Sequence, residues 1–299
     1  MKTALKTNLC RVALWGLLAL ALFARPVSAQ TGTVTSGTVT VNGARIAYRI
    51  EGHGPAMLLI HGYPLSGEMF ARNRDALARR YTVITPDLRG FGSSTAPDSS
   101  GSVQLYAGDM LGLMDQLNIK QAIIGGMSMG GMVVLEMYRE QPQRFQGMIL
   151  IDTSAMAASV VEQGEWPGFA NQATEKGVPS FLPILLPQML TGETRVLRPA
   201  LATFLGGIIS QSSVNGAVGG ANALATRPDS TTTLPTIKVP TLVLVGLDDP
   251  IYGFESHQMI SRAIPGSTFF VLPGAEHAAI LEDAVYADAV ILYWAGGVR

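Results

Sequence analysis

The sequence predicts an α/β fold: a mostly parallel sheet of eight strands, helices on both faces, and an inserted helical lid. Three observations predict it. Short, near-continuous apolar runs alternate with longer helical stretches, which is how strands read when crossover helices bury both their faces. An Asn42-Gly43 pair sits between two β-prone runs, a strong hairpin signal. From 155 to 235 no strand run is convincing, and the strand pattern resumes at Thr241.

The elements follow in order. Lys2, Lys6 and Arg11 precede an apolar run of 12 residues, 12–23, and Val27-Ser28-Ala29 then offers a small-residue cleavage site. That is the layout of a secretory signal peptide over residues 1–29. The run is too short to span a bilayer, which takes about 20 residues, so no stable membrane insertion is expected once the leader is cut. The expected location is outside the cytoplasm, periplasmic or secreted. Residues 30–38, rich in Thr, Ser and Gly, read as a frayed start. The hairpin strands are 38–41 and 44–50, and the remaining strands are 57–60, 81–85, 122–125, 148–151, 242–245 and 268–272. Helices are expected at 69–79, 103–117, 129–140, 254–263 and 278–294. The core is therefore residues 30–154 and 236–299, and the lid is residues 155–235, where Pro167, Pro179, Pro183, Pro187 and Pro199 divide apolar clusters into short helices.

Composition excludes several classes of function. Hydrophobic residues make up 47% and charged residues 14% of the chain, against about a quarter charged in an average soluble protein; a disordered chain has the opposite balance. Lys plus Arg number 21 and Asp plus Glu 22, so no basic excess exists to release counterions from nucleic acid. Cys10 is the only cysteine and lies in the leader. The mature chain would have no disulfide, no thiolate metal site and no cysteine nucleophile.

Gly126-Met127-Ser128-Met129-Gly130 fits G-x-S-x-G, between an expected strand and an expected helix. A sharp strand-to-helix turn lifts the Ser hydroxyl clear of the backbone, and only small residues fit beside it. The N–H after the serine, here Met129, points into the same space and can hold an oxyanion. A nucleophilic serine needs a base, and the base needs an orienting acid. Of the four histidines, His53, His61, His257 and His277, the last follows the final expected strand and is the expected base. Asp248 and Asp249 both follow the 242–245 strand; Asp249, three residues past Gly246 and before Pro250, is preferred, and Asp152 is a weaker candidate. Met127, beside the nucleophile, and Trp166, in the lid, are the expected substrate contacts; Phe169 is a further aromatic that could face it.

With these motifs in order, the chain resembles the α/β-hydrolase superfamily from about Val39 onward. His61-Gly62-Tyr63-Pro64 is similar to the family's H-G-x-P loop, which implies that the Tyr63 N–H is the second oxyanion donor beside Met129. Asp87-Leu88-Arg89-Gly90-Phe91-Gly92-Ser93 resembles its D-x-R-G-x-G-x-S loop, mainly structural. Within the family the likeness is to serine esterases and enol-lactonases with a small helical lid. Ser128 at the elbow differs from the Asp carried by haloalkane dehalogenases and epoxide hydrolases. The resemblance implies an ester or lactone hydrolase with Ser128, Asp249 and His277 as its triad, a small-molecule substrate, and neither metal nor organic cofactor. The lid has nine charged residues among its 81, which suits an apolar acyl or alcohol group. Two other readings keep the same fold: a cofactor-free perhydrolase, similar around G-x-S-M-G-G, and a ligand receptor with slow turnover.

Overall fold

The computed structural model describes residues 34–298; the expected leader, residues 1–29, lies outside them. Eight strands form one sheet: β1 (Thr35–Val41), β2 (Ala44–Gly52), β3 (Ala56–Ile60), β4 (Thr82–Pro86), β5 (Ala122–Met127), β6 (Phe145–Ile151), β7 (Thr241–Gly246) and β8 (Thr268–Leu272). Their spatial order is β1-β2-β4-β3-β5-β6-β7-β8. β2 runs antiparallel to both β1 and β4, and every other neighbouring pair is parallel. Asn42 and Gly43 both take positive φ, 48° and 76°, as a two-residue hairpin turn requires. Every residue of β5 and β7 is buried, so both faces of the sheet are covered. The outermost strands, β1 and β8, keep exposed positions instead.

The helices are α1 (Ala71–Leu77), α2 (Val103–Gln116), α3 (Met129–Glu140), α4 (Val160–Lys176), α5 (Leu182–Met189), α6 (Gly192–Leu197), α7 (Pro199–Ser210), α8 (Val214–Ala225), α9 (Phe254–Ala263), α10 (Ala279–Glu282) and α11 (Ala284–Ala295). Among the described residues, the stretch between β6 and β7 contains α4 to α8 and no strand. α4 begins with a capping box between Ser159 and Glu162 and carries Pro167 inside it; Ala173 is its one buried residue. It packs chiefly against α8.

Two expectations need correction. β1 starts at Thr35, inside the stretch read as frayed: its residues alternate in burial, and a polar edge strand carries little hydrophobic signal. The single helix expected over 278–294 is two, because Asp283 leaves helical geometry and its carboxylate accepts the Tyr286 N–H at 3.4 Å, capping a new start.

Polar contacts brace the loops beside the site. His61 Nε2 accepts the Leu88 N–H at 2.9 Å, so its Nδ1–H donates to Gly62 O at 2.8 Å. Asp87 accepts the N–H groups of Gly67 and Ser93, both at 2.8 Å. Arg89 meets Asp109 through two hydrogen bonds of 2.7 Å, the fork geometry that makes arginine pairs specific. These contacts fix the loop that carries Tyr63.

Candidate active site

Ser128 stands between β5 and α3 with φ 55° and ψ −122°, a strained conformation for a residue with a Cβ. The flanking glycines explain how the turn closes. A Cβ at Gly126 would stand 2.2 Å from Gly130 O, and one at Gly130 would stand 2.2 Å from Ile60 O. The turn is pinned by the Ser128 N–H, which donates to Ile151 O at 2.9 Å.

The structure brings Ser128, Asp249 and His277 together from three separate loops. His277 Nδ1 lies 3.1 and 3.0 Å from the two oxygens of Asp249. A nitrogen facing a carboxylate must carry the proton. Nε2 is then the acceptor, and it lies 2.9 Å from Ser128 Oγ. All three side chains are buried. Burial alone would raise the Asp249 pKa, but His277 and the N–H groups of Ile251 and Tyr252 outweigh it and hold this carboxyl below its ordinary value. Asp248 is exposed. Asp152 is fully buried but does not reach His277: it accepts the N–H groups of Gly246 at 2.8 Å and Ala279 at 3.2 Å. Burial, then the nearby Asp249 charge, pushes its pKa well up.

The other histidines do other work. His61 braces the Tyr63 loop, and burial lowers its pKa. His257 Nε2 accepts the Thr153 N–H at 2.6 Å and its Nδ1–H donates to Gly253 O at 3.1 Å. His53 is exposed.

The two expected oxyanion donors sit beside the serine. Met129 follows it in sequence, and the Tyr63 loop lies against it: a Cβ at Gly62 would stand 2.9 Å from Ser128 Cβ. Neither the Tyr63 nor the Met129 N–H has a hydrogen-bond partner among the described residues.

Ser128 and His277 open onto a cavity of about 650 Å³. Its walls come from α4 (Trp166, Phe169), α5 (Leu185, Met189), α8 (Leu224) and the loop after β7 (Tyr252). Trp166 is therefore on the cavity wall, edge-on to Tyr63 at 5.6 Å between ring centroids. Met127 is not: it is fully buried at the end of β5 and does not line the cavity. Its sulfur packs where a Gly62 Cβ would lie, at 2.7 Å. Sequence reasoning missed Tyr252, whose ring meets His277 edge-on at 5.7 Å; its place three residues past Asp249 was the available signal. It also missed that His277 N–H donates to Gln188 O at 3.3 Å and Ala278 N–H to Met189 O at 3.0 Å.

The sheet order and the strained serine turn define an α/β-hydrolase fold, and residues 55–284 match the family model described by that name: the chain belongs to this family. Among solved structures it is similar to a thermophilic esterase from Thermogutta terrifontis with malate bound, at 31% identity and a TM-score of 0.85, covering 88% of this chain and 99% of that one. It is also similar to the enol-lactonase from Burkholderia xenovorans, at 26% identity and a TM-score of 0.82, covering 87% and 100%. An uncharacterized protein of Mycobacterium tuberculosis is 40% identical over 121 residues, a match that spans 40% of this chain and 36% of that relative's length.

Proposed function

We propose that the protein is a serine hydrolase that cleaves carboxylic esters or lactones of small to medium, largely apolar substrates through an acyl-enzyme. The observation that carries this reading is the 2.9 Å contact between Ser128 Oγ and His277 Nε2 on the wall of a largely apolar cavity. Ser128 attacks the substrate carbonyl while His277 takes its proton. Asp249 keeps the imidazole in the right tautomer and stabilises the imidazolium. The N–H groups of Tyr63 and Met129 receive the oxyanion, and an oxyanion donor is worth about 3 kcal/mol of barrier. His277 then protonates the leaving oxygen, and water releases the acyl group by the reverse sequence. An esterase and an enol-lactonase among the similar structures support the ester or lactone class.

Residues 155–235 act as the lid: α4, α5 and α8 supply the walls that size the acyl pocket. Residues 1–29 direct export. Mass spectrometry of the protein recovered outside the cytoplasm, starting at Gln30, tests that placement.

The function is tested by hydrolysis of p-nitrophenyl esters from acetate to palmitate, with Ser128→Ala as control. A chain-length optimum that vanishes in the variant is the expected result. Full activity of Ser128→Ala would sink the scheme.

A further inference from the structure

The loop that presents His277 is not held by its own backbone. Four successive N–H groups leave it for partners elsewhere. Glu276 donates to Glu282 Oε2 at 2.9 Å. His277 and Ala278 donate to the carbonyls of Gln188 and Met189, at the end of α5, at 3.3 and 3.0 Å. Ala279 donates to Asp152 Oδ2 at 3.2 Å. Two of these partners belong to the helical stretch between β6 and β7, not to the sheet.

Glu282 joins the two sides. Its carboxylate is completely buried. Oε2 holds the Glu276 N–H, and Oε1 accepts both the Thr191 N–H at 2.9 Å and the Thr191 hydroxyl at 2.6 Å. Its backbone carbonyl accepts Arg198 Nη1 at 2.6 Å. Among the described residues no Lys or Arg side chain forms an ion pair with it. A buried carboxylate without a countercharge is costly unless its oxygens are hydrogen-bonded, and this one has three donors. A buried polar group so satisfied specifies a single arrangement of what it touches. Here it touches the residue before His277 and the junction of α5 with α6.

We propose that Glu282 is a positioning residue for the proposed base: it clamps the α5–α6 junction onto the His277 loop and so holds the imidazole within reach of Ser128. The proposal rests on the reading of His277 as base. It adds that the base is placed by the helical stretch as much as by the sheet. The 188–191 segment stays with His277.

The test compares Glu282→Ala, Glu282→Gln and Thr191→Val. Gln can accept with only one oxygen, so one side of its clamp sets donor against donor. Thr191→Val keeps the side-chain volume and removes the hydroxyl, which also caps α6 by accepting the Thr194 N–H at 3.1 Å; it covers the case in which Glu282→Ala fails to fold, and the readouts are taken below its own melting temperature. Three readouts are taken below the melting temperature: kcat and KM on a p-nitrophenyl ester, the rate at which a phosphonate labels Ser128, and the downfield proton resonance of the His277 Nδ1–H.

Misplacing a reacting group by a fraction of an ångström costs about tenfold or more in rate. The expected result is a loss of that order in kcat and labelling for both Glu282 variants. Thr191→Val should show a smaller loss, KM should stay within about twofold because ground-state binding is untouched, and the proton signal should shift or vanish. Variants that melt earlier but keep kcat, labelling rate and proton signal would overturn the proposal. Turnover that survives Ser128→Ala would remove the hydrolase reading instead. The proton signal, which needs no substrate, would then decide on the clamp alone.

Discussion

Arg227 and Glu162 close on each other across the space between α8 and α4, with Nη2 donating to Oε1 at 2.6 Å. Nε also donates to Met156 O at 3.0 Å and Nη1 to Leu224 O at 3.1 Å. The guanidinium is buried and is not part of the cavity wall. Among the described residues no Lys or Arg lines the cavity, whereas Glu162 and Glu165 do.

A substrate carboxylate would lose its water in this cavity and gain no cation, which is unfavourable. Neutral esters should therefore be preferred over anionic ones of equal length. Comparing p-nitrophenyl butyrate with the mono-p-nitrophenyl ester of succinic acid, kcat/KM should favour the neutral ester by about tenfold, since 1.4 kcal/mol corresponds to that factor. Glu165→Gln should narrow the gap. Equal rates on both esters would contradict the argument.

Two buried aspartates stand near His277, and only one touches it. Asp249→Asn should lower kcat by about three to four orders of magnitude, because the imidazole loses its correct tautomer. Asp152→Asn should cost only about tenfold, since Asp152 accepts the Gly246 and Ala279 N–H groups and Asn keeps an acceptor for one of them. Steady-state kinetics of the two variants side by side decide between the acids.

Asp288 predicts a pH dependence of stability. Burial raises its pKa to about 7, against the opposing effects of the Asn73 hydrogen bond and Arg72. Unfolded, it would ionise near about 3.9. Between these values the unfolded chain has already released a proton that the folded chain keeps. The contribution of Asp288 to stability is therefore greatest below about pH 4, declines as pH rises toward 7, and is flat above. Asp288→Asn should remove that slope and raise stability at pH 8, because its side-chain oxygen can still accept the Asn73 amide. Urea unfolding midpoints from pH 5 to 8 measure both effects.

Two glycines should respond oppositely to alanine. Gly130→Ala places a Cβ 2.2 Å from Ile60 O, a backbone atom that cannot step aside. Such overpacking costs about 1–3 kcal/mol, and loss of the serine turn should cost activity as well. Gly207→Ala meets nothing within 4 Å on an exposed face of α7. It should stabilise by about 0.4–1 kcal/mol through the helix and the unfolded chain. Thermal melts of both variants check the contrast.

What the sequence disclosed was what depends on local rules. Gly126, Ser128 and Gly130 could be read because a tight turn demands small residues at fixed spacing. Asn42-Gly43 could be read because few other pairs tolerate two positive φ angles. Asp249 is preferred over Asp248 by its place in the turn, and of the two Asp249 is the buried one. The misplaced residue, Met127, failed for a physical reason: it shares the motif with Ser128, but a strand alternates its side chains, and the strained turn brings only the serine into the cavity. The grip of Gln188 and Met189 on the His277 loop had no signal to read. Those bonds use backbone atoms, which every residue carries, across about ninety positions of chain.

That grip also fixes where the molecule can be cut and recombined. A designer exchanging substrate pockets between relatives would take the obvious seams at residues 155 and 235. Such a graft removes Thr191 from Glu282 and the carbonyls of Gln188 and Met189 from the His277 loop. The modular unit is smaller. On the proposed reading, residues 188–191 belong with the core that carries His277, and α4 with α8 is the part to exchange, since both line the cavity.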